Sequence, residues 1–351
     1  MKRGMAVLVP ALLISLLASP VAGADDGARS LPANGRILFT HCDNASGCQI
    51  YTANPDGSAI DQVTHAAGEA VQGDWSPDGE RITYVSFTSG DAAIWIINAD
   101  GSHPEQLTPN DPDSDNFWPR FTPDGVWILF TNCFTDECDG GISMIKTDGS
   151  AMQPVTPNSH DSYNLADMGP TGRLAYMRWH VDGVKMAIYV SAGNGSHERR
   201  ISPPRLEGWY PDWSPRGGRI AFTSNVFWDR PAPSLYTLRP NGSGLEALTH
   251  PPFPHSDVHP AYSPNGRRVI FESDRRYDDF CCGDLFVVPA SGGAPQRVHL
   301  PFDAYEPRCG TAPIVPTPGI AARHLPVASG PPCSFIRKLA DFGDCSLRQR
   351  S

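Results

Sequence analysis

Short apolar runs separated by turn-forming residues recur along the whole chain. Some runs alternate apolar and polar positions, as at 81–85, and others are apolar throughout, as at 93–97. Runs of this length, rich in β-branched and aromatic residues and bounded by Gly, Pro and Asp, are typical of β-strands. The 35 prolines and 33 glycines among 351 residues argue against a helical bundle, because both residue types destabilise helix interiors. The pattern therefore predicts an all-β protein.

An internal repeat organises these strands. An aromatic residue followed by Ser/Thr-Pro-Asp/Asn-Gly, or a close variant, stands at 75–79, 121–125, 168–172, 213–217 and 262–266. Each unit continues with two β-rich runs, an Asp/Asn-Gly-Ser turn or its equivalent, and a final Leu/Val-Thr. The second-turn glycines lie at 57, 101, 149, 195, 242 and 292, so they are 44, 48, 46, 47 and 50 residues apart. A period of about 40–50 residues that holds four strands is the signature of a propeller blade.

The repeat count predicts a six-bladed β-propeller whose ring is closed by a C-terminal strand. A single blade cannot bury both of its faces, whereas a closed ring of blades can. The first repeat starts at 34–39 and lacks an inner strand, while the segment 303–309 resembles the inner strand at 207–213. We therefore expect the propeller to span 25–309, with 303–309 completing the first blade. A Pro-rich tail containing cysteines follows at 310–351.

The first 24 residues have the composition of a cleaved secretory signal peptide. Lys2 and Arg3 precede an apolar run at 5–18, and Ala22-Gly23-Ala24 forms a small-residue cleavage site. The run is shorter than the roughly 20 residues of a membrane span. The mature protein is therefore expected in the periplasm or outside the cell, with no membrane span after signal cleavage.

The charge balance narrows the class of partner. The chain has 28 Lys and Arg against 38 Asp and Glu, a formal net charge of −10. Such a surface argues against nucleic-acid binding, which depends on neutralising phosphates. We expect a monomer without a cofactor, and a partner that is a protein, a peptide or a cell-envelope polymer.

The repeat phrase, for example Trp75-Ser76-Pro77-Asp78-Gly79 with the following Asp100-Gly101-Ser102, resembles the PD40, or WD40-like, repeats of TolB-type six-bladed propellers. The resemblance covers residues 34–309 and implies the propeller fold. It departs from that family in having only about ten residues, rather than an α/β domain, between the signal and the first blade. Related propellers belong to prolyl-oligopeptidase-type peptidases, but no hydrolase domain and no Gly-x-Ser-x-Gly follow here.

Nine cysteines accompany the export signal, which makes disulfides permissible. Cys42 and Cys48 flank a short loop in the first blade, and Cys133 and Cys138 flank the corresponding loop in the third. The spacing predicts a disulfide for each pair. The pairing of the other five stays open: Cys281, Cys282, Cys309, Cys333 and Cys345.

The main candidate site is the mouth of the central channel. Aligning the inner strands on their common proline places six residues at one ring position: Gln72, Trp118, Leu165, Tyr210, His259 and Glu306. A few residues upstream, each blade has one acid: Glu69, Asp115, Asp161, Glu207, Asp257 and Asp303. Converging carboxylates would bind a hard cation or a basic segment of a partner. The alternative is that they cap strands and face water. We assign the binding site to Glu69, Asp115, Glu207, Asp257 and Asp303 with Trp118, Tyr210, His259 and Glu306.

An enzymatic alternative rests on His255, Asp257 and His259. Two histidines at i and i+4 on a strand point to one side, and with the acid between them they would hold a divalent cation. Propeller lyases acting on uronic-acid sugars use such clusters, so a metal-dependent carbohydrate lyase or hydrolase is the second hypothesis. A non-enzymatic scaffold is favoured because no nucleophile–base pair is readable. If the channel is not the site, Trp179, Trp228 and Tyr277 in variable loops are the next candidates.

Overall fold

The computed structural model describes residues 34–43, 46–111, 113–134, 140–156, 161–180, 186–225, 232–277 and 283–315. These residues belong to one compact unit that begins at Leu31. The described residues form β-strands and no helix, so the all-β prediction is confirmed. None of their elements is a helix of the length and apolarity needed to cross a bilayer.

The described residues form 24 strands. In chain order, the first eleven are β1 (Ile37–Asp43), β2 (Gly47–Ala53), β3 (Asp61–Gln62), β4 (Ala70–Trp75), β5 (Arg81–Ser86), β6 (Ala93–Asn98), β7 (Glu105–Gln106), β8 (Asp115–Phe121), β9 (Trp127–Cys133), β10 (Gly140–Lys146) and β11 (Met152–Pro154). The remaining strands are β12 (Asp161–Met168), β13 (Leu174–His180), β14 (Met186–Ser191), β15 (Arg199–Arg200), β16 (Trp209–Trp213), β17 (Ile220–Ser224), β18 (Ser234–Leu238), β19 (Glu246–Ala247), β20 (Asp257–Tyr262), β21 (Arg268–Ser273), β22 (Asp284–Pro289), β23 (Gln296–Arg297) and β24 (Tyr305–Cys309).

Six antiparallel sheets of four strands form the blades, as the repeat predicts. The first blade has the order β24-β1-β2-β3, so the C-terminal strand supplies its inner strand. Each inner strand contacts the inner strand of the next blade, from β4 through β8, β12, β16 and β20 to β24 and back to β4. The prediction of a ring closed by the segment 303–309 is therefore confirmed.

Every inner strand carries a β-bulge at the same place. In each blade the pairing register shifts between the inner and second strands. The first bulge residue has a positive φ of 51–59° and is the ring residue predicted from the sequence: Gln72, Trp118, Leu165, Tyr210, His259 and Glu306. The residue after it is Gly73, Ala166 or, in the other four blades, a proline. Proline has no N–H to donate, so it is tolerated at a bulge.

The Leu/Val-Thr that ends most repeats has a structural role. The Thr64 hydroxyl accepts a hydrogen bond of 2.9 Å from the Ile50 N–H, and Thr108 does the same for Ile94. Apolar side chains pack one blade against the next, and three of the phenylalanines among them are at most 1% exposed: Phe39, Phe117 and Phe222. In five of the six blades a Thr or Ser hydroxyl at this position thus fastens the short outer strand to the third strand.

The cysteine predictions have mixed outcomes. Cys42 and Cys48 form a disulfide, which confirms the first pair. Cys133 is also disulfide-bonded, and its predicted partner Cys138 lies outside the described residues. Cys309 is a half-buried free thiol, so it does not fasten the tail. Residues 1–33 and 316–351, which include the predicted signal peptide, Cys333 and Cys345, lie outside the described part, as do Cys281 and Cys282.

The described start of the tail runs along the turns of the first two blades. The N–H groups of Gly35 and Arg36 donate to the carbonyls of Gly310 and Ala312 at 2.8 and 3.0 Å. The Thr311 hydroxyl donates to the Pro77 carbonyl at 3.0 Å. Residues 310–312 therefore fasten the closing strand onto the ring.

Candidate functional site

The two ends of the channel are surrounded by different loops and turns. Each inner strand begins beside the end of the second strand, as shown by the pairs Ala70–Ser86 and Asp115–Cys133. One face, called here the entry face, therefore carries the starts of the inner strands and the loops between second and third strands. The opposite face, called the turn face, carries the Ser/Thr-Pro-Asp-Gly and Asp-Gly-Ser turns.

The six bulge residues form a ring, called here the bulge ring, that is tied together from blade to blade. The N–H of Trp118 donates to Gln72 Oε1 at 2.9 Å, and the N–H of Gln72 donates to Glu306 Oε2 at 3.0 Å. The Glu306 N–H in turn donates to Glu272 Oε2 at 3.2 Å. A bulge leaves backbone groups without ladder partners, and side chains of the preceding blade satisfy them here.

The accessible part of the bulge ring lies on one side of the channel. Gln72, Trp118 and Leu165 are 3–6% exposed, whereas Tyr210, His259 and Glu306 are only half-buried. The rings of Tyr210 and His259 lie 4.0 Å apart, and His259 Nδ1 is 2.9 Å from Glu272 Oε2. Burial lowers the pKa of His259, but the carboxylates of Glu272 and Glu306 outweigh it and raise the pKa. This side combines an aromatic face with negative charge.

A second ring of charged residues lies two positions further along each inner strand. This charged ring consists of Asp74, Arg120, Asp167, Asp212 and Arg308, with Ala261 at the sixth position. Each aspartate accepts a backbone N–H of the next blade: Phe121 to Asp74 at 2.9 Å, Trp213 to Asp167 at 2.6 Å and Tyr262 to Asp212 at 2.7 Å. These carboxylates therefore link neighbouring inner strands.

Arg308 bridges the channel at this level. It comes from the first blade, and its Nη1 lies 3.2 Å from Asp212 Oδ1 of the fifth blade, while its Nε lies 3.9 Å from Asp74 Oδ1 of the second. The first and fifth blades are not neighbours, so this contact can only cross the channel. The short Ala261 side chain of the intervening blade leaves room for it. The Arg308–Asp212 ion pair thus crosses the channel below the bulge ring.

Burial dominates the electrostatics of the charged ring. It raises the pKa of Asp74 to about 6 and that of Asp167 to about 7, although Arg120 acts in the opposite direction. Burial and the neighbouring Asp167 raise the pKa of Asp212 well above its usual range. Three carboxylates that share two guanidinium groups in a confined space cannot all hold their charge at low cost.

Sequence reasoning missed the charged ring, although a signal existed. Asp or Arg directly precedes the last residue of the inner strand in five of the six blades, as in Asp74-Trp75 and Arg120-Phe121. The bulge turns this residue, as well as the bulge residue, toward the channel. Residues two positions apart on a strand point to the same side, so the ring position predicted from the sequence also indicated this second ring.

The predicted upstream acids have local partners in most blades. Asp115 Oδ1 accepts the Ala92 N–H at 2.8 Å, and Asp303 Oδ1 accepts the Tyr277 hydroxyl at 2.8 Å. Asp257 is fully buried, with its Oδ1 3.0 Å from Arg275 Nε. Asp161 pairs with Arg178, and Glu207 is half-buried. Four of the six acids therefore contact other groups of the protein: Asp115, Asp161, Asp257 and Asp303.

Glu69 differs from the other acids because it borders a cavity. The cavity, of about 470 Å³, opens on the entry face between the first and second blades and is lined by Ser46, Gly47, Gln49, Gln62 and residues 65–69. Glu69 Oε2 is buried and has no hydrogen-bond partner in the described part of the chain. Burial raises the pKa of Glu69 to about 7. Glu69 is therefore the predicted acid best placed to meet a ligand.

The three residues of the metal hypothesis do not form a ligand set. The Asp257 carboxylate pairs with Arg275, and the His259 ring pairs with Glu272. His255 Nδ1 lies 3.8 Å from Asp274 Oδ1. Within the described ranges no three His, Cys, Asp or Glu side chains are grouped so that they could hold a metal ion.

The loop aromatics are placed as follows. Trp179 packs against the hydrophobic core, and the Tyr277 hydroxyl is bound to Asp303. Trp228 lies outside the described residues.

The fold and the channel define a six-bladed propeller with a polar, ion-paired centre. Residues 24–207, more than half of the chain, match the family model PD40, described as TolB beta propeller domain. The chain belongs to this family.

Two relatives and one solved structure show how far the similarity extends. The uncharacterised protein Atu1656 of Agrobacterium fabrum is 30% identical over 102 residues, which cover 29% of this chain and 34% of that protein. The Tol-Pal system protein TolB of Xylella fastidiosa is 33% identical over 64 residues, covering 17% of this chain and 15% of that protein. The chain thus matches about a third or less of the length of these relatives. The crystal structure of TolB from Acinetobacter baumannii shares the fold, with a TM-score of 0.64 and 21% identity over 80% of this chain and 68% of that one.

Proposed function

We propose that this protein is a non-enzymatic binding scaffold whose entry face takes a protein or peptide segment. The observation that carries the proposal is the bridge from Arg308 to Asp212 and Asp74, which crosses the channel below the bulge ring. A ligand arriving from the entry face therefore meets a floor formed by Tyr210 and His259, rather than a deep reaction chamber. A surface of this kind suits recognition of a protruding side chain.

The chemistry of this floor favours a basic segment. Glu306 and Glu272 carry negative charge beside His259, and the Tyr210 ring offers a face to a cation. Glu69 in the neighbouring cavity is a second acceptor on the same face. A partner with Lys or Arg would gain both association rate and orientation from these groups. A cell-envelope polymer would need a basic group to gain the same increase in association rate and the same orientation.

We infer the compartment from the cysteines and from the first 24 residues. The Cys42–Cys48 disulfide is of a kind that persists in oxidising compartments. The signal-peptide pattern accounts for how the chain reaches such a compartment. We therefore place the protein in the periplasm or outside the cell.

The contacts of the proposed ligands argue against the alternative of a metal-dependent carbohydrate lyase or hydrolase. Its metal would need Asp257 together with His255 and His259, and the Asp257 carboxylate is taken up by Arg275 in the protein interior. Elemental analysis of the purified protein, with and without chelator, tests this alternative. A stoichiometric transition metal that is lost with the chelator would revive it.

Photocrosslinking tests the proposed binding face. A photoreactive phenylalanine analogue is placed at Tyr210 on the entry face and, as a matched control, at Val126, which is 45% exposed and follows a turn on the turn face. We expect Tyr210 to yield a discrete protein or peptide adduct from envelope extract that an added Lys-rich peptide suppresses. Adducts at Val126 alone, or equal adducts at both positions, would contradict the proposal.

A further inference from the structure

A second cavity lies on the turn face, between the fifth and sixth blades. Its volume is about 250 Å³, and it is lined by Ser214, Pro215, Arg216, Gly218, Arg219, Tyr262, Asn265, Gly266 and Ala290. Tyr262 is 7% exposed, and its hydroxyl has no hydrogen-bond partner among the described residues. A buried hydroxyl without a partner is costly, so its position at a cavity wall indicates a group that the site receives.

The turn of the fifth blade has an arginine at a position where the second and third blades have an aspartate and the sixth has an asparagine. In the second blade Ser76 donates to Asp78 Oδ1 at 2.5 Å, and in the third Thr122 donates to Asp124 Oδ1 at 2.6 Å. The fifth blade has Arg216 at that position. The repeat therefore loses its local acceptor here and gains an exposed cation.

This exchange leaves donors that face the cavity. Ser214 Oγ accepts the Arg219 N–H at 2.9 Å, but its own proton has no acceptor within the described ranges. Arg216 is exposed and makes no ion pair there. With the Tyr262 hydroxyl, the cavity thus presents two hydroxyl donors and a free guanidinium group.

Arg219 flanks this group of donors in a fixed position. Its Nη1 donates to Thr237 Oγ1 at 2.9 Å and to the Gly244 carbonyl at 3.0 Å, and its Nη2 donates to Glu246 Oε1 at 2.7 Å. Glu246 offsets the charge of Arg219, so the net positive charge of the site comes from Arg216. Hydroxyl and guanidinium donors around a positive charge are the partners that oxyanions prefer.

We propose that this cavity is a binding site for a small oxyanionic group, a carboxylate or a phosphate. Trp75 and Trp213 occupy the same repeat position as Tyr262, and their buried indole N–H groups also lack partners in the described structure. Tyr262 is the member of this set that lines the cavity beside Arg216. The volume accommodates the anionic group and the first few atoms that carry it.

Calorimetric titration with inorganic phosphate and, separately, with glutarate tests the site, with the ionic strength held constant by chloride. The repeat provides the variant: Arg216→Asp introduces the Asp that the turns of the second and third blades carry, so it should fold with an unchanged Tm. We expect it to weaken binding by more than about tenfold, because an ionic hydrogen bond is replaced by a like charge. Tyr262→Phe should weaken binding about three- to tenfold.

The matched control is Asp124→Arg, which places the same arginine on the turn of the third blade. It should keep the affinity and the single-site stoichiometry of the natural chain. Binding of one probe alone identifies the chemistry of the anion. The proposal fails if neither probe binds at about 10 mM, or if Arg216→Asp binds as well as the natural chain. Crosslinking at Tyr210 on the opposite face is independent of either result.

Discussion

Replacing Arg308 by methionine tests the ion pairs that Arg308 makes inside the channel. The substitution keeps an unbranched side chain but removes the charge between Asp212 and Asp74. The Arg308 side chain is 10% exposed, so the two carboxylates lose a partner that water replaces poorly. Breaking a buried ion pair in this way costs about 3 kcal/mol of unfolding free energy at neutral pH.

The pH dependence of this loss distinguishes a broken ion pair from lost packing. Burial already raises the pKa of Asp74 to about 6 and that of Asp212 well above its usual range. Without Arg308 both pKa values rise further, so the folded protein binds protons that the unfolded chain releases above about pH 4. The loss of stability should therefore shrink to about 1 kcal/mol at about pH 5.

Urea unfolding of the natural chain and the Arg308→Met variant at about pH 7 and about pH 5 measures both quantities. Arg219→Met is the matched control, because Glu246, its partner, is 64% exposed and such a pair contributes about 0–1 kcal/mol. The reasoning is refuted if Arg308→Met costs no more than Arg219→Met at neutral pH. It is also refuted if the loss is the same at both pH values.

Three further predictions concern the ring and its acids. The free energy of unfolding of the natural chain should rise by about 1–3 kcal/mol when the pH is lowered from about 7 to about 5, because the raised pKa values of Asp74 and Asp167 make the folded state bind more protons than the unfolded chain there. His41, whose pKa burial lowers, opposes this increase only in part. Urea titrations at a series of pH values will show the sign of the change. Truncation before Asp303 should open the ring and expose β1 as an edge that aggregates, whereas truncation after residue 315 should leave a monomer, as light scattering will show. Glu69→Gln should leave Tm at neutral pH unchanged or slightly higher, because the raised pKa of Glu69 shows that its charge is unfavourable where it lies; a clearly lower Tm would mean that the carboxylate is a structural cap.

The fold was predictable because the same sequence pattern occurs in every blade. Five near-equal spacings between six turn glycines indicate the blade count, and the segment 303–309 indicates the closing strand; the structure has both. The bulge residues were also predictable, because the residue after each of them is a proline or a small residue at one repeat position. A repeated pattern averages out the ambiguity of any single strand.

The environment of the acids was much less predictable. Asp257 and Asp161 have the spacing of a shared ring, but each meets an arginine: Asp257 meets Arg275 in the turn after β21, and Asp161 meets Arg178 in the neighbouring strand β13. Neither arginine belongs to the repeat phrase, so the repeat gives no sign of the pairing. The charged ring lies two positions after the predicted ring residues, where strand alternation places side chains on the same side; it was missed because only acids upstream of the ring residues were assigned to the site.

The most direct test of the binding face measures the affinity of the partner captured through Tyr210. The comparison is between the natural chain, the double variant Tyr210→Ala with Glu306→Gln, and Phe253→Ala, which removes a 69% exposed ring in the loop before β20 on the same face. We predict that the double variant weakens binding more than tenfold at low salt and loses most of the salt dependence, while Phe253→Ala binds like the natural chain. Equal affinities and equal salt dependence for all three proteins would contradict the account.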